Sequence, residues 1–421
     1  MNSIIPRTPL IVMGPDGFVP LGIARSVGRV GVPVFLLSDN HSTLSRRSRF
    51  VKGGQYNVNF AEPSDVQRAL ELLLSKIRQP NIKPLLAVTN ETYYTRLLPI
   101  YDFVTQHFHE LTPAQQVAPL CEKEQQFPLA EQVGFRISKT VLLQTTKDLE
   151  QVAALQFPVI IKKRSIHTAG GYKNKADLFE NVDSLKAEIE PTFEDPETVL
   201  LAQEFVPGDD KQILFLMASC GEGGHVRAWF TGRKLRQFPP DCGVMSAGYL
   251  EHLPELEEKS KALCKLFGLR GFIGVECKQH SETGELFYIE SSLRVEANNS
   301  IGLSAKRDLV LDAYLAAHGL PCSIPQDIPM TGSWCDVSTD LDAARLLIAD
   351  KKITWKEYFT PLPRPISFPL FAWDDPMPLL RWLPIRLVPI LKKIFRRSLD
   401  TRCSANRRRT TLSCADTGEN S

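Results

Sequence analysis

Two glutamates lie where acidic side chains are costly. Residues 271–302, GFIGVECKQHSETGELFYIESSLRVEANNSIG, hold two short apolar and β-branched runs at 272–278 and 286–291. A Ser-Glu-Thr-Gly turn separates them, which predicts a β-hairpin. Glu276 falls inside the first run and Glu290 inside the second. A carboxylate in a buried strand needs a cation or several donors, so two on paired strands point to a shared cation. Oxygen donors suit a hard ion, Mg²⁺ with Mn²⁺ as the alternative, which takes one or two carboxylates and fills its shell with phosphate oxygens and water. That chemistry implies a nucleoside triphosphate. An edge hairpin with both glutamates in solvent is the other reading of the same pattern.

The preceding segments must position these groups. Residues 10–13 form a short apolar run entering Gly14-Pro15-Asp16-Gly17, followed by helical spacing over 20–30 and a strand at 34–38. This β-loop-α-β order predicts a right-handed parallel unit with its glycine loop at the carboxyl edge of the sheet. The loop lacks the full GxGxxG pattern, so a nicotinamide-linked enzyme is a third reading that cofactor titration would separate. Residues 44–52 carry Arg46, Arg47, Arg49 and Lys52, either an anion cradle or a solvated basic loop. An amphipathic helix over 65–78 precedes a strand at 84–89 that ends in Asn90-Glu91. After a helix and a turn at Gly134 comes FPVIIKK, with Lys162 at the end of a β-branched strand, where an ammonium can meet an α-phosphate as a point charge. VLLAQEFV, 199–206, runs into Pro207-Gly208-Asp209-Asp210, and AWFTGRKLRQFPP, 228–240, carries Arg233, Lys234 and Arg236.

Glu276 and the run Glu290-Ser291-Ser292-Leu293-Arg294, with Lys162 and Gln203 before them in that order, resemble the ATP-grasp superfamily. The FTGRKLRQ segment is similar to its carboxylate-amine ligase branch. The resemblance covers roughly 10–320 and implies an α/β fold, α+β in the clamp: a Rossmann-like subdomain at 1–117, then a two-lobed ATP-grasp domain at 118–320 with lobes at about 118–206 and 207–320. A C-terminal extension (321–397) and a disordered basic tail (398–421) would follow. The implied reaction joins a carboxylate to an amine, both small molecules, through an acyl-phosphate. By the resemblance Lys123 and Lys162 hold phosphates, and residues 164–172 with Gly170-Gly171 cover them. Gln203 and the backbone of Glu204, Phe205 and Val206 meet adenine, while Asp210 meets the ribose. Glu276, Glu290 and Ser292 bind Mg²⁺, and Arg233, Lys234 and Arg294 stabilise charge on the transferred phosphoryl group. The superfamily usually has Asn where this chain has Ser292, a shorter and weaker oxygen donor. A nucleotide-binding relative without ligase activity is therefore the alternative.

At 421 residues the chain needs two or three subdomains. Its 23% charged and 43% hydrophobic content is that of a folded globular protein, and a net charge of +2 implies no general affinity for nucleic acid. The nine cysteines show no CxxC pair and no zinc-type spacing, the pattern of reduced thiols in a cytoplasmic protein. No signal peptide, transmembrane run or solenoid repeat is legible, and oligomeric state is not encoded in any pattern. Residues 379–397 mix apolar side chains with Arg381, Arg386, Lys392, Lys393, Arg396 and Arg397. They can lie on an anionic membrane surface or dock as a C-terminal segment with a basic rim, and Pro384 and Pro389 would interrupt one continuous helix.

Overall fold

A computed structural model of the chain describes residues 5–39, 44–77, 82–164, 171–172, 176–322, 324 and 329–383. Most of the expected phosphate cover, the part of 379–397 after 383 and the whole tail lie outside these residues.

The first five strands are β1 (Leu10–Met13), β2 (Val34–Ser38), β3 (Gln55–Asn57), β4 (Leu85–Val88) and β5 (His109–Glu110). They form a parallel sheet in the order β3-β2-β1-β4-β5, the expected Rossmann-like subdomain. β1 is buried throughout because its two faces join different cores. Leu10 and Val12 share one with Ile23 and Val27 of helix α1 (Phe18–Arg29). Ile11 and Met13 share the other with Leu70 and Leu73 of helix α2 (Pro63–Lys76). Where β1 ends, Gly14 has φ 150°, and a Cβ there would fall 2.0 Å from Thr89 Oγ1. Only glycine allows β1 and β4 to end so close together.

The second layer is an antiparallel sheet, order β6-β9-β7-β8, of β6 (Thr140–Leu143), β7 (Val159–Lys163), β8 (Ala176–Phe179) and β9 (Leu200–Glu204). The third is a seven-stranded sheet whose strands in chain order are β10 (Ile213–Cys220), β11 (Val226–Phe238), β12 (Val244–Leu250), β13 (Gly271–Gln279), β14 (Leu286–Ser292), β15 (Ser333–Cys335) and β16 (Ile366–Ser367). Its spatial order is β14-β13-β10-β11-β12-β15-β16. The stretch after 320, read from sequence as an extension, thus supplies two strands of the main sheet. The signal is weak because β15 and β16 have three and two residues and pair only with distant segments.

The predicted hairpin is β13–β14, and Glu276 lies directly opposite Glu290 in its register. One step on, Cys277 pairs with Tyr288, so Ile289 is the extra residue of a bulge. The bulge restores alternation on each side of it: Cys277 and Tyr288 are in the core, while Glu276 and Glu290 stay accessible.

The last described residues are pinned to the first subdomain. The Asp375 carboxylate accepts from Arg25 Nε at 3.0 Å, Ser48 Oγ at 2.7 Å and the Arg49 amide at 2.9 Å. Arg25 also donates to the carbonyls of Pro369 and Leu370, each at 2.8 Å. Both charged side chains are buried. Truncating one partner of a buried pair strands the other charge, so Asp375→Ala should lower the unfolding free energy by about 3–5 kcal/mol. Urea denaturation of the full chain measures this, and a loss below about 1 kcal/mol would mean the pair behaves as a surface contact.

Candidate active site

A cavity is lined from both antiparallel sheets and from the start of the helix Lys123–Gln132. On the small sheet Ile160 pairs with Gln203 and Lys162 with Leu201, which puts Lys162 and Gln203 on one face. Lys162 Nζ donates to Gln203 Oε1 at 2.7 Å, and Gln203 Nε2 donates to Thr140 Oγ1 at 2.8 Å. Both side chains are buried. Glu204, Phe205 and Val206 continue the lining. The Glu204 and Phe205 amides are already bonded to the carbonyls of Lys139 and Pro158, each at 3.0 Å. Val206 has the one amide of the three with no hydrogen bond among the described residues.

On the large sheet each glutamate of the hairpin meets a lysine. Lys234 Nζ lies 2.9 Å from Glu276 Oε2, and Lys123 Nζ lies 2.7 Å from Glu290 Oε2. Burial works against the Lys234 ammonium, but Glu276, Glu296 and Glu290 outweigh it and leave the group raised above the usual lysine value. The helix carrying Lys123 is fastened to β14 by buried Gln126. Its Oε1 accepts from the Tyr288 hydroxyl at 2.6 Å and the Ser291 amide at 2.8 Å, and its Nε2 donates to the carbonyls of Leu120 (2.8 Å) and Ser291 (3.1 Å).

Lys123 and Glu290 also line a second cavity, which includes Glu91 of the first subdomain, Arg164, Ser292 and Arg294. Arg294 Nε donates to Glu91 Oε2 at 2.8 Å. Burial disfavours the guanidinium, yet Glu91 and Glu296 more than compensate and hold it firmly charged. The two cavities share a wall of one ammonium and one carboxylate, where groups bound on either side would meet.

Two expected residues line neither of these cavities. Arg233 is on the opposite face of β11 from Lys234, as strand alternation requires, and donates to Glu251 Oε2 at 2.7 Å and to the Lys211 carbonyl at 2.6 Å. Asp210 is buried behind the site, where it accepts from the Gln237 amide (2.9 Å), Gln237 Nε2 (2.8 Å) and the Asp241 amide (3.0 Å). Burial raises its pKa against those bonds. Its carboxylate organises the turn after β11 and does not line the first cavity.

Three residues at the site were missed by sequence reading. Gln126 gave no pattern signal. Glu296 is a third carboxylate, pushed up to about 7 by burial and then by Glu276, with Arg294 and a hydrogen bond from Ser292 acting the other way. Room for it comes from Gly274, where a Cβ would stand 3.3 Å from Glu296 Oε1. Lys278 lines the cavity with its Nζ 3.7 Å from the centroid of the Phe205 ring, a cation–π contact. It is 5% exposed, and burial lowers its pKa to about 8. The signal for Lys278 was present, since it lies two residues after Glu276 and must share its face.

No family model matches the chain. D-aspartate ligase from Enterococcus faecium is 23% identical over 257 residues, 55% of this chain and 58% of that enzyme, so the chain spans little more than half of that relative. Among solved structures, N5-carboxyaminoimidazole synthetase from Staphylococcus aureus, complexed with ADP, matches with a TM-score of 0.61 at 15% identity over 78% of this chain and 82% of that one. The biotin carboxylase domain of 2-oxoglutarate carboxylase from Hydrogenobacter thermophilus matches with a TM-score of 0.58 at 14% identity, over 78% and 74%. The chain has the ATP-grasp fold. The first cavity is lined by residues of both the β6–β9 sheet and the sheet that holds β10–β14.

Gln126 should therefore be a determinant of stability. Gln126→Leu keeps the volume but strips partners from buried groups of β14, at a cost of about 2–4 kcal/mol. Equilibrium unfolding in urea measures it, and a change below about 0.5 kcal/mol would show that those groups find other partners.

Proposed function

We propose that this chain is an ATP-dependent ligase that joins a carboxylate to an amine or similar nucleophile through an acyl-phosphate. The observation that carries the proposal is the pair of cavities meeting at Lys123 and Glu290. One has the lining suited to a nucleotide: Lys162 and Lys234 for phosphates, and Phe205, Val206 and Lys278 for the base and sugar. The other, with Arg294 and Arg164, has cations suited to a carboxylate. The first step would be attack of a carboxylate oxygen on the γ-phosphorus with ADP leaving. Attack of the amine nitrogen on the acyl carbon, with loss of its proton and of inorganic phosphate, would complete the ligation.

Glu276 and Glu290 are suited to Mg²⁺: they are paired oxygen donors on adjacent strands, both partly accessible, and both on the cavity wall. Bound there, the ion would offset charge on the transferred phosphoryl group. Lys234 and Lys123 are the counter-charges that pair with the two carboxylates. Ser292 offers a hydroxyl beside Glu296, in place of an amide carbonyl. Arg294, held by Glu91 and charged, is the candidate for stabilising the oxyanion of the acyl centre.

Two measurements test the reading. Lys162→Ala should weaken ATP binding by about 1.5–3 kcal/mol, whereas Arg233→Ala should leave it unchanged. Titration calorimetry on both variants reads this, and the reverse order of effects would move the nucleotide to the other face of β11. Next, ADP release is screened against amino acids and small carboxylates over a range of magnesium concentrations. Glu290→Gln should abolish ADP release while nucleotide binding persists, and Ser292→Asn should tighten the magnesium dependence and keep or raise turnover. ATP affinity without release under any acceptor would favour a binding-only relative.

A further inference from the structure

The basic loop after β2 and the basic, apolar C-terminal segment play no part in the ligase reading, yet they converge. Asp375 accepts from Ser48 and from the Arg49 amide, and Arg49 Nη1 lies 3.4 Å from the Asp374 carbonyl. Arg46, Arg47 and Arg49 are exposed beside this anchor. Two residues before Asp375, Trp373 is 89% exposed, and the helix that begins at 377 presents Leu380, 55% exposed, and Arg381. The one exposed acid at the junction, Asp374, is neutralised by Arg29 at 2.7 and 2.8 Å. The sequence prolongs this character: from Pro376 to Ser398 there is no Asp or Glu, and the basic residues alternate with Leu, Ile, Val and Phe.

We propose that this face, with Trp373 and Leu380 beside Arg46, Arg47 and Arg381, is a docking surface for an anionic lipid bilayer. An exposed indole and leucine suit the boundary between headgroups and acyl chains, and the arginines suit anionic headgroups. A nucleic acid would satisfy the arginines but gives Leu380 and the aliphatic residues after it nothing to bury against. Among the described residues no helix is long and apolar enough to cross a membrane. The anchor at Arg25 and Asp375 makes the surface a fixed part of the first subdomain, since both groups are buried and joined.

The test is co-sedimentation of the full-length chain with vesicles of phosphatidylcholine alone and of phosphatidylcholine mixed with phosphatidylserine. Binding to the mixed vesicles that falls with added salt is expected, with little binding to the neutral ones. The double variants Trp373→Ser with Leu380→Ser, and Arg46→Glu with Arg47→Glu, change only exposed side chains and should each weaken that binding by about tenfold or more. Absence of binding to anionic vesicles overturns the proposal. So does equal binding to both vesicle types, or binding that neither double variant weakens. A dimer in sedimentation velocity that Trp373→Ser dissociates, with no vesicle binding, would assign the face to a second copy and overturn it as well.

Discussion

The site depends on holding two carboxylates at facing positions of one hairpin. Glu276 and Glu290 are register partners, and like charges directly opposite each other on a sheet repel. The sheet order answers this by bringing other strands and helices to them. β11, separated from β13 by β10 alone, supplies Lys234, and the helix Lys123–Gln132 supplies Lys123. That helix is fastened to β14 by Gln126, which is bonded to Tyr288 and Ser291 on the core side of the strand, before and after Glu290 in sequence. The bulge at Ile289 lets Tyr288 reach Gln126 inside the core while Glu290 remains on the cleft. One irregular residue in β14 therefore separates the packing face of the hairpin from its chemical face.

Much of this was legible in the sequence because it rests on local pattern. Acidic residues inside apolar runs disclosed Glu276 and Glu290, and a lysine ending a β-branched run disclosed Lys162. The β-loop-α-β order gave the parallel sheet. What was not legible depends on which way a side chain points after long-range pairing. Arg233 and Lys234 are neighbours in sequence and equally basic, but alternation sends them to opposite faces, and only the partners of β11 decide which face is the cleft. Asp210 looked like a free acid after a strand. Its role was fixed by Gln237 and Asp241, which reach it only once β11 and the turn after it are folded.

The C-terminal part shows the same limit at larger scale. Arg236, read from sequence as one of three basic residues near the site, is buried against Asp340 at 2.8 Å, and the helix Val337–Ala349 that carries Asp340 packs on the back of β11. A charge run on a long strand was thus divided among three tasks: Arg233 to an outer turn, Lys234 to the cleft and Arg236 to the core behind it. Alternation separates Arg233 from Lys234, and the register shift between Lys234 and Arg236 separates those two, of which composition carries no trace.

Lys278 bears on ligand discovery. An ammonium held over Phe205 on the cavity wall makes this pocket electrostatically unlike one floored by hydrocarbon. Flat heteroaromatic compounds that rely on dispersion alone would give that buried charge no partner in the ligand. Compounds that place an acceptor or a carboxylate near Lys278 would turn the same desolvation into affinity, and would gain nothing in a pocket with an aliphatic side chain there. A single buried cation thus gives a chemical handle for ligands of this cavity.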